Sequence, residues 1–284
     1  MTNEYGNELL HKVLLSAMKD IDKICRENGL RYYLHAGTLL GAFNHKGFIP
    51  WDDDVDITMM REDYDTLVQI INNEYSDKYY MQTYVSDPNH TNNRGVLRVL
   101  GTSVSHIHGE GECTHNEIGV DIVPLYPVPG NTVIRKLQKW LIWIWDVALQ
   151  IKQGSIIPHN FFVKCIGMLS RRDRVKIGKD IDRFMRFSKK SDSAEVGILC
   201  YTYRNPYTGK NGYDNEIWPR KWYEQPKDIA FEDAVFMTIS EPEAYLEYQY
   251  GPHWHEPYPE EKRVTKHDVK SYEIEPWVME RLGL

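Results

Sequence analysis

The sequence predicts an α+β fold: a mixed sheet flanked by helices, with a helical insertion in its second half. Three observations carry that prediction. Short runs with strand character, at 32–34, 52–59, 79–85, 96–105 and 118–125, are interleaved with stretches whose apolar residues recur at three and four. From 133 to about 168, and again from 171 to 187, only the helical pattern is present. With 284 residues and 42% hydrophobic content, the chain can bury a full core as one large domain, or as one domain with an insertion. The expected division is a catalytic core over 1–130, a helical insertion or subdomain over 131–195, and a C-terminal part over 196–284 that completes the substrate site.

The first helix is expected over Leu9 to Asn28, with Leu10, Leu14, Ala17, Ile21 and Ile24 or Cys25 on its buried side and Asn28-Gly29 as the stop. Tyr32-Tyr33-Leu34 reads as a short strand running through His35-Ala36 into Gly37-Thr38 and a short apolar helix. A Gly-Thr turn at a helix N-terminus offers backbone N–H groups and a favourable dipole to an anion.

The stretch Ile49 to Met59 then sets Asp52, Asp53, Asp54 and Asp56 among large apolar side chains. Like charges this close repel and call for a cation. In a strand, side chains alternate, so Asp52, Asp54 and Asp56 share one side and Val55 and Ile57 the other. Hard carboxylate oxygens suit Mg²⁺ or Mn²⁺, and two or three of them leave coordination positions for substrate phosphates. An EF-hand calcium loop is disfavoured, since the D-x-[DN]-x-[DN]-G spacing breaks at Thr58 and no Glu falls at the twelfth position. A solvated acidic loop is the plain alternative. A Gly-Thr turn some fifteen residues before a strand bearing Asp-x-Asp outlines a nucleotidyltransferase-type site, and the expected fold is therefore nucleotidyltransferase-like.

Glu62 to Asn73 is the next helix, with Tyr64, Leu67, Val68 and Ile71 as its buried stripe. The strands at 79–85 and 96–105 follow; Arg94 and Arg98 lie here, each within reach of a phosphate or simply exposed. Ile118 to Leu125 is a strand in which Asp121 interrupts an apolar run, a costly placement unless the acid is paired or meets a metal. His106, His108, Cys113 and His115 have ligand types that suit zinc, but the spacing is loose and surface or substrate-lining histidines fit better.

Tyr126 to Gly130 marks the start of the insertion. Within it, Trp140 to Trp145 is flanked by Arg135, Lys136, Lys139 and Lys152. Such a helix either lies in a membrane interface or packs in a helical subdomain, and Asp146 favours packing. The basic cluster Arg171-Arg172-Asp173-Arg174 follows. The aromatic-rich stretch 198–222, including Trp218, either packs over the core or supplies a box for a quaternary ammonium group. Arg263 and His267 stand four apart, so one helix would aim both at one phosphate.

The formal charge of −7 with no basic run disfavours nucleic acid as a partner. Four scattered cysteines and an N-terminus without a secretory pattern fit a reducing cytoplasm. No apolar run approaches the ~20 residues of a membrane-spanning helix.

The runs Tyr33 to Ala42, His45 to Ile57 and Met60 to Tyr64 resemble the LicD family of phosphocholine transferases, and more distantly the fukutin-type enzymes that transfer ribitol phosphate. Trp222-Tyr223-Glu224, 229–233, 242–251 and 259–267 resemble the C-terminal half of that family, and the insertion is the least matched part. The resemblance implies a metal-dependent transferase that moves phosphocholine or a related phospho-headgroup from a CDP-linked donor such as CDP-choline to a sugar hydroxyl of a cell-surface glycan, a lipopolysaccharide or teichoic acid, and releases CMP. The acceptor is then a glycan that can be lipid-linked, reached from the cytoplasm with a peripheral contact at the inner membrane face left open. The alternative is a nucleotidyltransferase proper, which would release pyrophosphate.

By the same resemblance Asp121 joins Asp54 and Asp56 as catalytic and metal-binding, either as general base or as a further ligand to Mg²⁺ or Mn²⁺. Candidate substrate contacts are Gly37, Thr38, His45, Lys46, Arg98, Trp218, Arg263 and His267. Two positions depart from the family pattern. Asn44 stands where an arginine is usual before His45-Lys46-Gly47, and Pro252 where an acid is usual after Tyr250-Gly251, which points to a different grip on the donor diphosphate.

Overall fold

The fold is that of a computed structural model, which describes residues 5–90, 93–106, 115–158, 160–188, 193–199, 212–263 and 269–283, leaving aside the side chains of His106, Lys262, Val269 and Lys270. Helix α1 (Glu8–Glu27) buries Leu10, Leu14, Ala17, Ile21, Ile24 and Cys25, as its three-four spacing requires. It ends where Gly29 takes a left-handed φ of +67°.

Five strands form the central platform. These are β1 (Tyr32–Leu34), β2 (Asp56–Met60), β3 (Tyr79–Gln82), β4 (Gly95–Val99) and β6 (Gly119–Val128), in the order β1-β2-β6-β4-β3. The β2–β6 pair is parallel and the other pairs are antiparallel, so the sheet is mixed. Helix α2 (Ala36–Asn44) lies between β1 and β2, and α3 (Arg61–Glu74) between β2 and β3. Register sets the faces. Tyr32 and Tyr79 point towards α1, where their hydroxyls donate to Asp22 and Asp20 at 2.7 Å each. Asp56 is opposite Asp121, Asp121 opposite Val96, and Val96 opposite Gln82, so these four form one row on the other face.

The run expected as one strand over 96–105 is two. Gly101, at φ +79°, turns the chain, and β5 (Thr102–His106) leaves the platform to pair with β11 (Val269–Ile274). The strand expected to end near Leu125 runs on to Val128, because β7 (Glu195–Gly197) supplies a partner for Tyr126 to Val128 where β2 and β4 have ended. Strand β8 (Ile217–Pro219) extends this edge.

Helices α4 (Thr132–Lys152), α5 (Phe161–Gly167) and α6 (Arg174–Met185) occupy the stretch expected as a helical insertion. Ile142, Leu149, Ile177, Ile181 and Met185 gather with Tyr126 and Val128 at the end of β6. Gln138 of α4 donates to the carbonyls of Phe184 and Met185 at 2.8 and 3.2 Å. Arg61, at the start of α3, reaches the Tyr126 hydroxyl at 2.9 Å and Asp182 at 3.1 Å, which ties α6 to the core.

The C-terminal part returns to the N-terminal core. The hairpin β9 (Lys227–Phe231) and β10 (Ala234–Thr238) packs by β1, helix α7 (Pro242–Tyr250) lies against α2, and α8 (Pro276–Leu282) closes on α1.

Candidate active site

The site is built around the two ends of the parallel pair. Asp56 opens β2 and faces Asp121 across the ladder, with neighbouring strands about 4.8 Å apart. Burial, then Asp54, then Asp121 push the Asp56 carboxyl well above the usual carboxylate range, and Arg94 opposes them. Arg94 Nη1 is 2.7 Å from Asp121 Oδ2, an ion pair at the rim of the row.

The acids before Asp56 are outside the strand, so alternation does not set their direction; hydrogen bonds hold the segment instead. The Asp52 carbonyl accepts from His11 Nε2 at 2.7 Å and from Asn7 Nδ2 at 3.2 Å. Burial lowers the His11 pKa, against the opposing pull of the Asp52 hydrogen bond. At the other end the Asp121 N–H donates to the Val55 carbonyl at 2.9 Å. Gly37 and Thr38 fall in the first turn of α2 itself. A Cβ on Gly37 would stand 2.8 Å from Asp52 Oδ2, so the glycine lets that carboxylate approach the helix start. Thr38 Oγ1 accepts the Asp56 N–H at 2.8 Å and thereby fixes the head of β2.

The loop between α2 and the acids is packed from both sides. Gly41 approaches it closely, since a Cβ there would lie 2.5 Å from the Gly47 carbonyl oxygen. Phe48 stacks on His11 with centroids 4.2 Å apart and donates its N–H to Glu232 Oε1 at 3.0 Å. Lys46 is exposed, and its carbonyl accepts the Glu232 N–H at 2.7 Å.

Trp51 gathers the C-terminal residues. The guanidinium carbon of Arg263 is 5.2 Å from its ring centroid, Tyr258 stacks on it at 6.0 Å, and His45 meets it edge-on at 5.7 Å. Partial burial and the Arg263 charge lower the His45 pKa. Arg263 and His45 are thus neighbours. Arg263 follows a single 3-10 turn at Glu260–Lys262 rather than lying on an α-helix. His267 lies outside the described residues, as do His108 and Cys113. His115 stacks on Tyr80 at 4.0 Å and is 3.4 Å from Glu117.

Two candidates are held elsewhere. Arg98 shares the sheet face of Asp121, but its Nε donates to Gln82 Oε1 at 2.8 Å and its Nη1 to the Glu117 carbonyl at 2.7 Å, so its guanidinium braces the edge of the sheet. The cation facing Asp121 is Arg94, whereas the candidate chosen from sequence was Arg98. Trp218 is 1% exposed and packs against His35 and Tyr245 at 5.6 and 5.4 Å, which makes it part of the wall behind the acids, not an open box. Burial drives the His35 pKa down to about 3. The His35 backbone N–H donates to the Asp56 carbonyl at 3.0 Å, and the Tyr245 hydroxyl is 2.9 Å from the ring Nδ1. Neither His35 nor Trp51 was singled out from sequence, although both stand inside the motif. Asn44, at the position where an arginine was expected, donates to the Trp254 carbonyl at 3.0 Å.

Among the described residues no group of three or more His, Cys, Asp or Glu side chains is close enough to enclose a metal ion. The donor set nevertheless fits a hard divalent cation. Asp56 and Asp121 are adjacent with Asp54 in electrostatic range, and the cost of burying Asp56 beside two acids is the cost that a cation removes.

A family model described as LicD/FKTN/FKRP, nucleotidyltransferase domain, matches residues 29–163. The chain is 41% identical over 263 residues to the lipopolysaccharide cholinephosphotransferase LicD of Haemophilus influenzae, covering 92% of this chain and 95% of that protein. It is 47% identical over 58 residues to an uncharacterized protein of Rickettsia prowazekii, covering 20% of this chain and 22% of that one. With the human ribitol 5-phosphate transferase FKRP it shares 31% identity over 133 residues, covering 47% of this chain and 22% of that protein.

Proposed function

The chain belongs to the LicD family and is a LicD-type phosphotransferase, and from that premise we propose that it moves phosphocholine, or a related phospho-headgroup, from a CDP-linked donor to a sugar hydroxyl of a cell-surface glycan. The observation that carries this reading is the placement of Asp56 and Asp121 opposite each other on adjacent parallel strands, with Asp54 two residues before the strand begins. Relatives named for cholinephosphate and ribitol 5-phosphate transfer support the class of group that moves.

Asp54 and Asp56 would hold Mg²⁺ or Mn²⁺, which when bound neutralises charge on the phosphoryl oxygens and on the departing nucleotide. The chain's own residues supply the rest. Asp121 orients the acceptor hydroxyl and takes its proton. The hydroxyl oxygen forms a bond to the phosphorus bearing the headgroup, the bond from that phosphorus to the CMP oxygen breaks, and CMP leaves as the anion. Arg94, paired with Asp121, and Arg263, which lies with His45 at Trp51, provide cations for the donor's diphosphate. Asn7, His11 and Thr38 hold the acid-bearing backbone still while this happens.

The test is nucleotide release from a panel of CDP-linked donors with Mg²⁺ and crude glycan acceptor, for the intact chain and Asp56→Ala. CMP release from CDP-choline that vanishes in the variant is the expected result. Release from a different CDP donor keeps the site and discards choline. No CMP from any donor, with an acceptor shown to be competent, overturns the reading; pyrophosphate from a nucleoside triphosphate would replace it with nucleotidyl transfer.

A further inference from the structure

Helix α4 is amphipathic in an unusual way, because both of its sides are apolar and only one is fully covered. Gln138, Ile142 and Leu149 face the insertion's own core. On the other side Val133, Leu137, Trp140, Ile144, Val147 and Ile151 recur at three and four and form one stripe. The C-terminal half of that stripe is packed, since Val147 and the adjoining Ala148 sit with Val163 and Ile166 of α5. Its N-terminal half is open: Val133 is 76% exposed, Leu137 46% and Trp140 50%. The open surface continues onto the head of α5. Phe162 stacks on Trp143 at 5.9 Å, and Phe161 beside it is 84% exposed.

Charge identifies what this surface meets. Residues 131–195 carry fourteen Lys and Arg against six Asp and Glu, whereas the rest of the chain carries twenty against thirty-five. The insertion is strongly basic on an otherwise acidic protein. Exposed Lys136 borders the apolar stripe on α4, and exposed Lys164 lies on α5. A second copy of the chain docking by the same face would oppose two basic surfaces. An anionic lipid surface is complementary to both features, with tryptophan and leucine entering the headgroup boundary and lysines meeting lipid phosphates. No described helix is long and apolar enough to cross a membrane, so the contact is one of lying on the surface.

We propose that the exposed N-terminal half of α4, together with the head of α5, docks the protein on an anionic lipid bilayer. This does not depend on which headgroup the active site transfers. It is tested by flotation of the full chain with vesicles of phosphatidylcholine alone and of phosphatidylcholine with about 30 mol% phosphatidylglycerol. The expected ratio of bound to free protein is about tenfold higher on the anionic vesicles and falls by a similar factor in about 0.5 M salt. Leu137→Glu with Trp140→Glu, and separately Lys136→Glu with Lys164→Glu, should each lower it by about tenfold with an unchanged melting temperature, since all four side chains are exposed. Equal binding to both vesicle types, binding unaffected by either variant, or no binding at all overturns the proposal. So does a dimer in solution that Leu137→Glu dissociates while vesicles are ignored, which would assign the face to a second copy.

Discussion

Replacing Gly41 by alanine sets two effects against each other, and the structure decides between them. In isolation the change favours helix α2 by about 1 kcal/mol, because alanine loses less backbone freedom than glycine. In the fold, the new methyl would stand 2.5 Å from the Gly47 carbonyl oxygen and 3.2 Å from the Ile49 nitrogen. Both are backbone atoms, so no flexible side chain can swing aside, and the loop must retreat by close to ~1 Å to regain normal contact. Overpacking of this kind costs about 1 to 3 kcal/mol. The net expectation is a loss of about 0 to 2 kcal/mol, or a melting temperature lower by up to about 8 °C. Activity should suffer more than stability. Residues 47–51 lead directly into the acids, and a displacement of ~1 Å at a reacting group lowers the rate by about 10²-fold. Thermal denaturation and CMP release measured on the same preparation check both numbers. A raised melting temperature with unchanged turnover would show that propensity alone governs the site and that the loop does not pack on Gly41 as described.

Glu216 provides a pH test. Burial raises its carboxyl from 4.5 to about 7, so the folded state binds the proton more tightly than the unfolded state does. Its contribution to stability is complete below about pH 4.5 and is withdrawn as pH rises through about 7, for a total of about 3 kcal/mol. Glu216→Gln should flatten that slope and raise stability at pH 8 relative to the parent, as read from urea unfolding at pH 5 and 8; parallel curves for the two proteins would refute it. Arg98→Gln should cost about 1 to 3 kcal/mol by removing the donors to Gln82 and the Glu117 carbonyl, visible as a lower melting temperature. Arg263→Gln, which removes the contact over Trp51 and the donor to the Tyr258 carbonyl, should cost no more than about 1 kcal/mol and raise the KM for the donor by about tenfold. The opposite pattern in the two variants would exchange their assigned roles.

Much of the local structure was legible in the sequence because it follows from short-range rules. The apolar spacing of α1 and α3 and the alternation around Asp56 and Asp121 depend on helix and strand geometry alone, and the observed α+β fold with its mixed sheet agrees with the one expected. Discrepancies arose where distant chain segments compete for the same groups. Nothing in the run 96–105 reveals that Gly101 turns β5 away to a partner more than 160 residues later, and the end of β6 depends on β7 arriving to pair with it.

The same division applies to the site. By itself the sequence determined the family resemblance and its central feature, carboxylates clustered in an apolar setting behind a Gly-Thr turn, a donor set that suits a hard cation. Only the tertiary structure decided which groups meet. The parallel register of β2 and β6 puts Asp56 against Asp121, the ion pair places Arg94 at the acids where the sequence reading had chosen Arg98, and the return of the C-terminal part sets Arg263 over Trp51. Trp218 went the other way, from a surface that could meet ligand to a buried wall behind His35. The physical reason is common to all four. Residue type and spacing determine what a side chain can do, but a charge or a ring acts on what lies within a few ångströms, and chain neighbours supply only part of that surrounding.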